Sequence, residues 1–128
     1  MYDVMAPAGG EKPAYVANAF SLSMLSSLLK DRDTVTVSVR KLSAKEAERY
    51  LRNSVSVLGH EGTVKLLNEL FGLNLKVNRV NYVANENDKL VVVQLNERLP
   101  EGKVLSLDEM KEMLKNGKLS FYLVTFYS

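Results

Sequence analysis

Hydrophobic and polar residues alternate with a strict period of two along residues 34–40, which predicts a strand with one buried face. Apolar segments bounded by polar or glycine-rich stretches predict four further strands, at residues 14–17, 79–84, 89–95 and 119–127. Residues 91–93 are consecutive valines, which favours a strand covered on both faces. The polar residues 85–88 predict a turn that joins strands 79–84 and 89–95 into a hairpin.

Helical spacing of apolar residues predicts four helices. The first is short and contains Leu22, Met24, Leu25 and Leu28. Two others begin at capping boxes, Ser43 with its Glu and Ser106 with its Glu, where each pair satisfies otherwise free backbone N–H groups. The remaining helix contains residues 64–71 and is closed by Gly72. The order β-α-β-α-α-β-β-α-β predicts an α+β fold with a single mixed five-stranded sheet flanked by helices.

The 128 residues are enough for one domain with its own core. Residues 1–13 contain two Pro and two Gly without periodicity, so we expect a flexible leader before a single domain over 14–128. A net charge of +2 argues against a sequence-independent DNA-binding protein. There is no Cys and one His, so no bound metal and no cofactor is expected. The chain has no long apolar run and no secretory signal, which favours the cytoplasm and no membrane partner.

Three loops carry the candidate chemistry, at residues 18–21, 59–63 and 98–103. Each lies next to a predicted strand or helix, where free backbone N–H groups favour anions, and His or Arg beside them suits phosphate. Familiar nucleotide-binding and hydrolase motifs are missing from the sequence. From these features alone we expect an α+β domain that binds phosphate.

Taken together, these loops resemble a known family, the viral ring nucleases that act as anti-CRISPR proteins against type III immunity. The resemblance lies in residues 15–21, 58–60, 78–80, 98–105 and 117–122. It departs from the family at Glu61 and Gly62, where members commonly have Asp and Ser, and at Glu97, where they often have Gln. The lost Ser hydroxyl leaves only the backbone N–H of Gly62 to contact phosphate.

The resemblance implies a homodimer that binds cyclic tetra-adenylate across its two-fold axis and cleaves it without metal, which switches off type III CRISPR signalling. The expected catalytic residues are His60, Arg98 and Glu101. The expected ligand contacts are Asn18, Ser21 and Arg79, together with three residues of the loop around His60, namely Gly59, Gly62 and Thr63.

The expected reaction uses the 2′-hydroxyl of the ring as the nucleophile and leaves linear di-adenylates with 2′,3′-cyclic phosphates. Arg98 would stabilise the phosphate oxygens with its planar guanidinium, and His60 would protonate the departing 5′-oxygen. Glu101 would orient Arg98 or bond a ribose hydroxyl.

Two alternatives remain open. In the first, the domain binds the cyclic nucleotide without turnover, as a sponge or sensor. In the second, it is a small nucleic-acid-binding or protein-interaction module, although the near-neutral charge disfavours nucleic acid. Recovery of intact ligand after incubation would separate the first alternative from a ring nuclease.

Overall fold

The computed structural model describes residues 12–96 and 105–127, in which five strands form one mixed sheet. The strand order is β2-β5-β4-β1-β3. β1 runs parallel to both β3 and β4, whereas β5 is antiparallel to β4 and β2. The strands are β1 (Tyr15–Ala17), β2 (Thr36–Leu42), β3 (Val55–Ser56), β4 (Lys89–Leu95) and β5 (Leu119–Tyr127).

Three α-helices occur in the described residues, α1 (Ala44–Leu51), α2 (Glu61–Phe71) and α3 (Leu107–Lys115). Their buried side chains, from Ala47 to Met110, pack in one cluster with Val91 and Phe121 of the sheet. The opposite face of the sheet packs on a short 3-10 helix, Leu22–Leu25, and on the segment around Ala84. The predicted α+β fold with a single mixed five-stranded sheet is therefore confirmed.

Local signals place three of the helix ends correctly. Ser43 Oγ accepts from the backbone N–H of Glu46 at 3.1 Å, and a Glu46 carboxylate oxygen accepts from the Ser43 N–H at 3.0 Å. The second predicted capping box, which begins α3, has the same reciprocal bonds. Gly72 ends α2 in the left-handed region at φ 65°, a conformation that glycine adopts without a steric penalty.

Two strands have the predicted bounds. β4 and β5 begin and end where the apolar segments do, because both are central and are covered on both faces. Val91 and Val93 are 0% and 1% exposed, and Val92, which faces the other side, is 7% exposed. β2 lies two residues later than the alternation predicted.

The predicted strand at 79–84 and its hairpin are wrong, because residues 73–88 form an irregular segment and β4 pairs with β1 and β5 instead. Tyr82 Oη donates to a carboxylate oxygen of Asp88 at 2.8 Å, and the same oxygen accepts from the Asn85 N–H. Burial, and then the bond to Asp88, raise the pKa of Tyr82. Asp88 and backbone carbonyl groups such as that of Met24, which accepts from the Ala84 N–H, thus bond N–H groups of this segment without strand pairing.

Two further elements differ from the sequence prediction. β3 was not predicted, because a strand of two residues gives no periodic signal. The short helix predicted within 22–28 is a 3-10 helix that ends at Leu25.

Candidate functional site

Three segments meet at one end of the sheet. Since β1 is parallel to β3 and β4, the residues that follow these strands lie beyond the same edge. Asn18 follows β1, residues 57–60 follow β3, and Asn96 follows β4. Ligands of open sheets bind beyond the carboxyl ends of parallel strands, so this edge is the candidate functional site.

Asn18 is held by a hydrogen bond to the first turn of α2. Its Nδ2 donates to Thr63 Oγ1 at 3.0 Å, and Thr63 is only 3% exposed. Asn18 Oδ1 is shielded from solvent and has no partner among the described residues. Thr63, which was expected to contact ligand, therefore has its hydroxyl bonded to Asn18, where it fixes the position of the amide.

His60 lies at the start of α2. It is the N-cap residue, with extended backbone angles, and its exposed side chain makes no capping hydrogen bond. The helix begins at Glu61, so Gly62 and Thr63 belong to its first turn rather than to the predicted loop. Within the described part of the chain, the N–H groups of residues 61–63 have no acceptor. An exposed imidazole therefore lies next to backbone donors that suit a phosphate oxygen.

Arg79 is anchored beside His60. Its Nε donates to the carbonyl oxygen of Gly59 at 2.9 Å. The two terminal guanidinium nitrogens have no partner among residues 12–96 and 105–127. Gly59 thus contributes its carbonyl group, and Arg79 keeps the part of its guanidinium that binds phosphate best.

Arg79 is positioned by hydrogen bonds of the neighbouring segment that the sequence does not predict. The Asn78 N–H donates to the Leu58 carbonyl at 2.7 Å, and Asn78 Nδ2 donates to the Ser56 carbonyl at 2.9 Å. Ser56 Oγ donates to the Lys76 carbonyl at 2.6 Å. These bonds join residues about twenty positions apart, so no local pattern could predict them.

Of the remaining predicted site residues, only Ser21 lies in the described part of the chain. Ser21 Oγ is 2.8 Å from Ser23 Oγ and forms no hydrogen bond with Asn18 or Thr63 in the described chain. Arg98 and Glu101 lie outside the described residues. Asn96, which precedes them, is fixed by bonds to the carbonyl groups of Lys118 and Gly117 at 2.8 and 2.7 Å.

A pocket of about 410 Å³ adjoins Asn18 on the sheet face that the α-helices leave uncovered. Apolar side chains predominate in its lining, which consists of Asn18, Ala19, Phe20, Val39, Val92, Gln94, Tyr122 and Val124. Its volume lies in the range of small-ligand sites.

The described residues include no group of three His, Asp or Glu side chains arranged to hold a metal ion. None of the described helices is long and apolar enough to cross a membrane.

The fold and this edge define a small α+β protein with a candidate anion-binding site beyond its parallel strands. The chain belongs to the STIV B116-like family, whose sequence profile matches residues 14–123. The solved structure of B116 of Sulfolobus turreted icosahedral virus superimposes with a TM-score of 0.78 and 36% sequence identity. That match covers 88% of this chain and 98% of B116.

Two similar sequences come from other archaeal viruses. Uncharacterized protein 26 of Sulfolobus islandicus filamentous virus is 31% identical over 88% of this chain and 92% of its own length. Uncharacterized protein ORF116 of Acidianus filamentous virus 1 is 38% identical over 58% of this chain and 64% of its own length. These relatives support a viral origin for the chain.

Proposed function

We propose that this protein is a metal-independent ring nuclease that cleaves cyclic tetra-adenylate and thereby acts as an anti-CRISPR protein. The observation that carries the proposal is the position of His60. An exposed imidazole lies at the N-terminus of α2, at the same edge of the sheet as Asn18, and Arg79 bonds the preceding carbonyl group. A proton donor, a cation and free backbone N–H groups are the groups that cleavage of a phosphodiester by its own 2′-hydroxyl requires.

In the proposed reaction, a ribose 2′-oxygen attacks the adjacent phosphorus and the bond from phosphorus to the 5′-oxygen breaks. His60, as imidazolium, gives its proton to the departing 5′-oxygen, while the 2′-hydroxyl proton passes to solvent. Arg79 and the N–H groups of residues 61–63 hold phosphate oxygens. By the family resemblance, Arg98 stabilises the charge on the scissile phosphate and Glu101 orients Arg98. The products are di-adenylates with a 2′,3′-cyclic phosphate and a 5′-hydroxyl.

The proposed active form is a homodimer, because a four-nucleotide ring can share a two-fold axis with two identical sites. The sheet face beside Asn18 suits the interface. Val39 is 59% exposed there, and Leu22, which follows the site loop, is 78% exposed. A second copy would cover these side chains and bring a second Asn18 toward the ring.

Incubation of the full chain with cyclic tetra-adenylate in excess EDTA, followed by chromatography and mass spectrometry, tests the function. We expect complete conversion to products with 2′,3′-cyclic phosphates. Loss of activity on chelation, restored by Mg²⁺ or Mn²⁺, would contradict the metal-free reaction, as would products with 5′-phosphates. Recovery of intact cyclic tetra-adenylate bound to the protein would show that the protein binds the ring without cleaving it.

A further inference from the structure

A second pocket, of about 330 Å³, lies on the helix-covered face of the sheet. Three elements build it: β2 contributes Arg40, β4 contributes Lys89, and α1 contributes Glu46, Arg49 and Tyr50. Lys89 is the first residue of β4, whereas the candidate active site follows its last residue. A strand of this length spans roughly 20 Å, so the two sites are separate.

The charge of this pocket is positive and only partly compensated. Its one carboxylate, Glu46, bonds Arg40 Nη1 at 2.8 Å and also accepts from the Ser43 N–H of the capping box at 3.0 Å. Arg49 and Lys89 form no ion pair with a described carboxylate. The ammonium group of Lys89 lies over the ring of Tyr50 in α1, 6.0 Å from the ring centre. Two cations therefore remain available around one cavity.

We propose that this pocket binds a phosphate dianion, either free or as the terminal phosphate of a nucleotide. A planar guanidinium and an ammonium group that line one cavity suit a compact dianion with several acceptor oxygens. The cations surround one cavity instead of forming a stripe, which favours a single phosphate group over a polymer. The volume exceeds that of inorganic phosphate and leaves room for an attached nucleoside. The proposal does not depend on the proposed ring-nuclease activity.

Residue-resolved NMR titration of the full chain with inorganic phosphate, adenosine monophosphate and adenosine, at constant ionic strength, tests it. We expect saturable shifts at Arg49, Tyr50 and Lys89 with the two phosphates and none with adenosine. Equal affinity for inorganic phosphate and adenosine monophosphate would show that the pocket recognises the phosphate group alone. Tighter binding of adenosine monophosphate would identify a nucleotide as the ligand. Shifts confined to residues around His60, or shifts that stay linear to about 10 mM, would overturn the proposal.

Matched variants separate a built site from general charge attraction. Arg49→Gln and Lys89→Gln should each weaken phosphate binding by about tenfold, the usual loss for one charge-assisted contact. Lys45→Gln removes the same charge from an exposed position of α1 outside the pocket, and should change the affinity by less than about twofold. An equal loss in Lys45→Gln would mean that binding follows net charge and would overturn the proposal.

Discussion

At the scale of single residues, the contact between Asn18 and Thr63 determines how the candidate site is presented. It joins the end of β1 to the first turn of α2, two segments that are 45 positions apart in the sequence. Burying a hydroxyl costs free energy unless it is hydrogen-bonded, and Thr63 is buried. The bond to Asn18 meets that need and also holds the Asn18 amide in place. Thr63 thus fixes the position of the Asn18 side chain.

Thr63→Val should therefore destabilise the fold and disturb ligand binding together, because it preserves the shape but removes the acceptor of the Asn18 amide. We expect a loss of about 1–3 kcal/mol in the free energy of unfolding. Urea unfolding of Thr63→Val, Asn18→Ala and the double variant forms a cycle that isolates the pair. Simple additivity of the two single effects would show that the residues do not interact.

His60 is the only imidazole in the chain, so its proposed role as general acid can be tested with one substitution. His60→Ala should slow cleavage of cyclic tetra-adenylate by at least about 100-fold, the lower range for a placed acid. Binding should largely persist, since the cations and backbone N–H groups remain. Single-turnover assays and calorimetry measure the two quantities separately. Glu61→Gln, at the next position, is the control and should retain cleavage, whereas wild-type turnover in His60→Ala would remove His60 from the mechanism.

At the scale of elements, β2 and α1 are joined by the pair Arg40–Glu46, whose side chains are 52% and 33% exposed. The bond from Arg40, and then the Ser43 N–H, lower the pKa of Glu46 from 4.5 to about 2. Because the pKa of Glu46 is lower in the folded state, its carboxylate stabilises the fold at pH values above the pKa of the unfolded chain. That contribution is lost as the pH falls toward 2. Because both side chains are well solvated, its size is small.

The wild-type chain should therefore unfold at a higher temperature than Glu46→Gln at pH 7. The difference should shrink between about pH 4.5 and pH 2, where the wild-type carboxyl also becomes neutral. Thermal unfolding followed by circular dichroism at several pH values measures it. Glu69→Gln, at an exposed position of α2, provides the control. A difference that stays constant down to pH 2 would contradict the role assigned to the ion pair.

Elements that depend on interactions between residues close in sequence, or on continuous burial, could be predicted, whereas those that depend on distant contacts could not. Both capping boxes and Gly72 act within a few residues, so they identified helix ends correctly. β4 and β5 were predictable because burial on both faces requires continuous apolar residues. The strand predicted at 79–84 is absent because only Tyr82 and Ala84 pack on the sheet face, whereas Val80 and Val83 are exposed. The bond from Tyr82 to Asp88 holds the segment without strand pairing.

The same division applies to the candidate site. Its loops were predictable because His60 and Asn18 lie between regular elements and carry polar side chains. The burial of Thr63 and the anchoring of Arg79 on Gly59 were not, since each depends on contacts between distant positions. The start of α2 at Glu61 was missed because glycine at position 62 is a weak helix former.

At the scale of the whole molecule, the exposed apolar face beside Asn18 predicts association of two chains. Light scattering should give about twice the 14.3 kDa mass of one chain. Val39→Glu, which places a charge on this face, should yield monomers and reduce cleavage. Val55→Glu, at an exposed position on the opposite edge strand, should leave the dimer intact. A mass near 14.3 kDa with full activity would contradict the dimer.

The short central strand β1 also has a consequence for the order in which the molecule is made. It pairs with Val55 and Ser56 on one side and with residues 90–92 on the other, so both of its neighbours are synthesised long after it. Parallel pairings between distant positions carry a large loop-closure cost and form slowly. During translation, the β4 side of β1 therefore stays unpaired until β4 has left the ribosome. The sheet edge that carries the candidate site is therefore incomplete in any nascent chain that ends before β4.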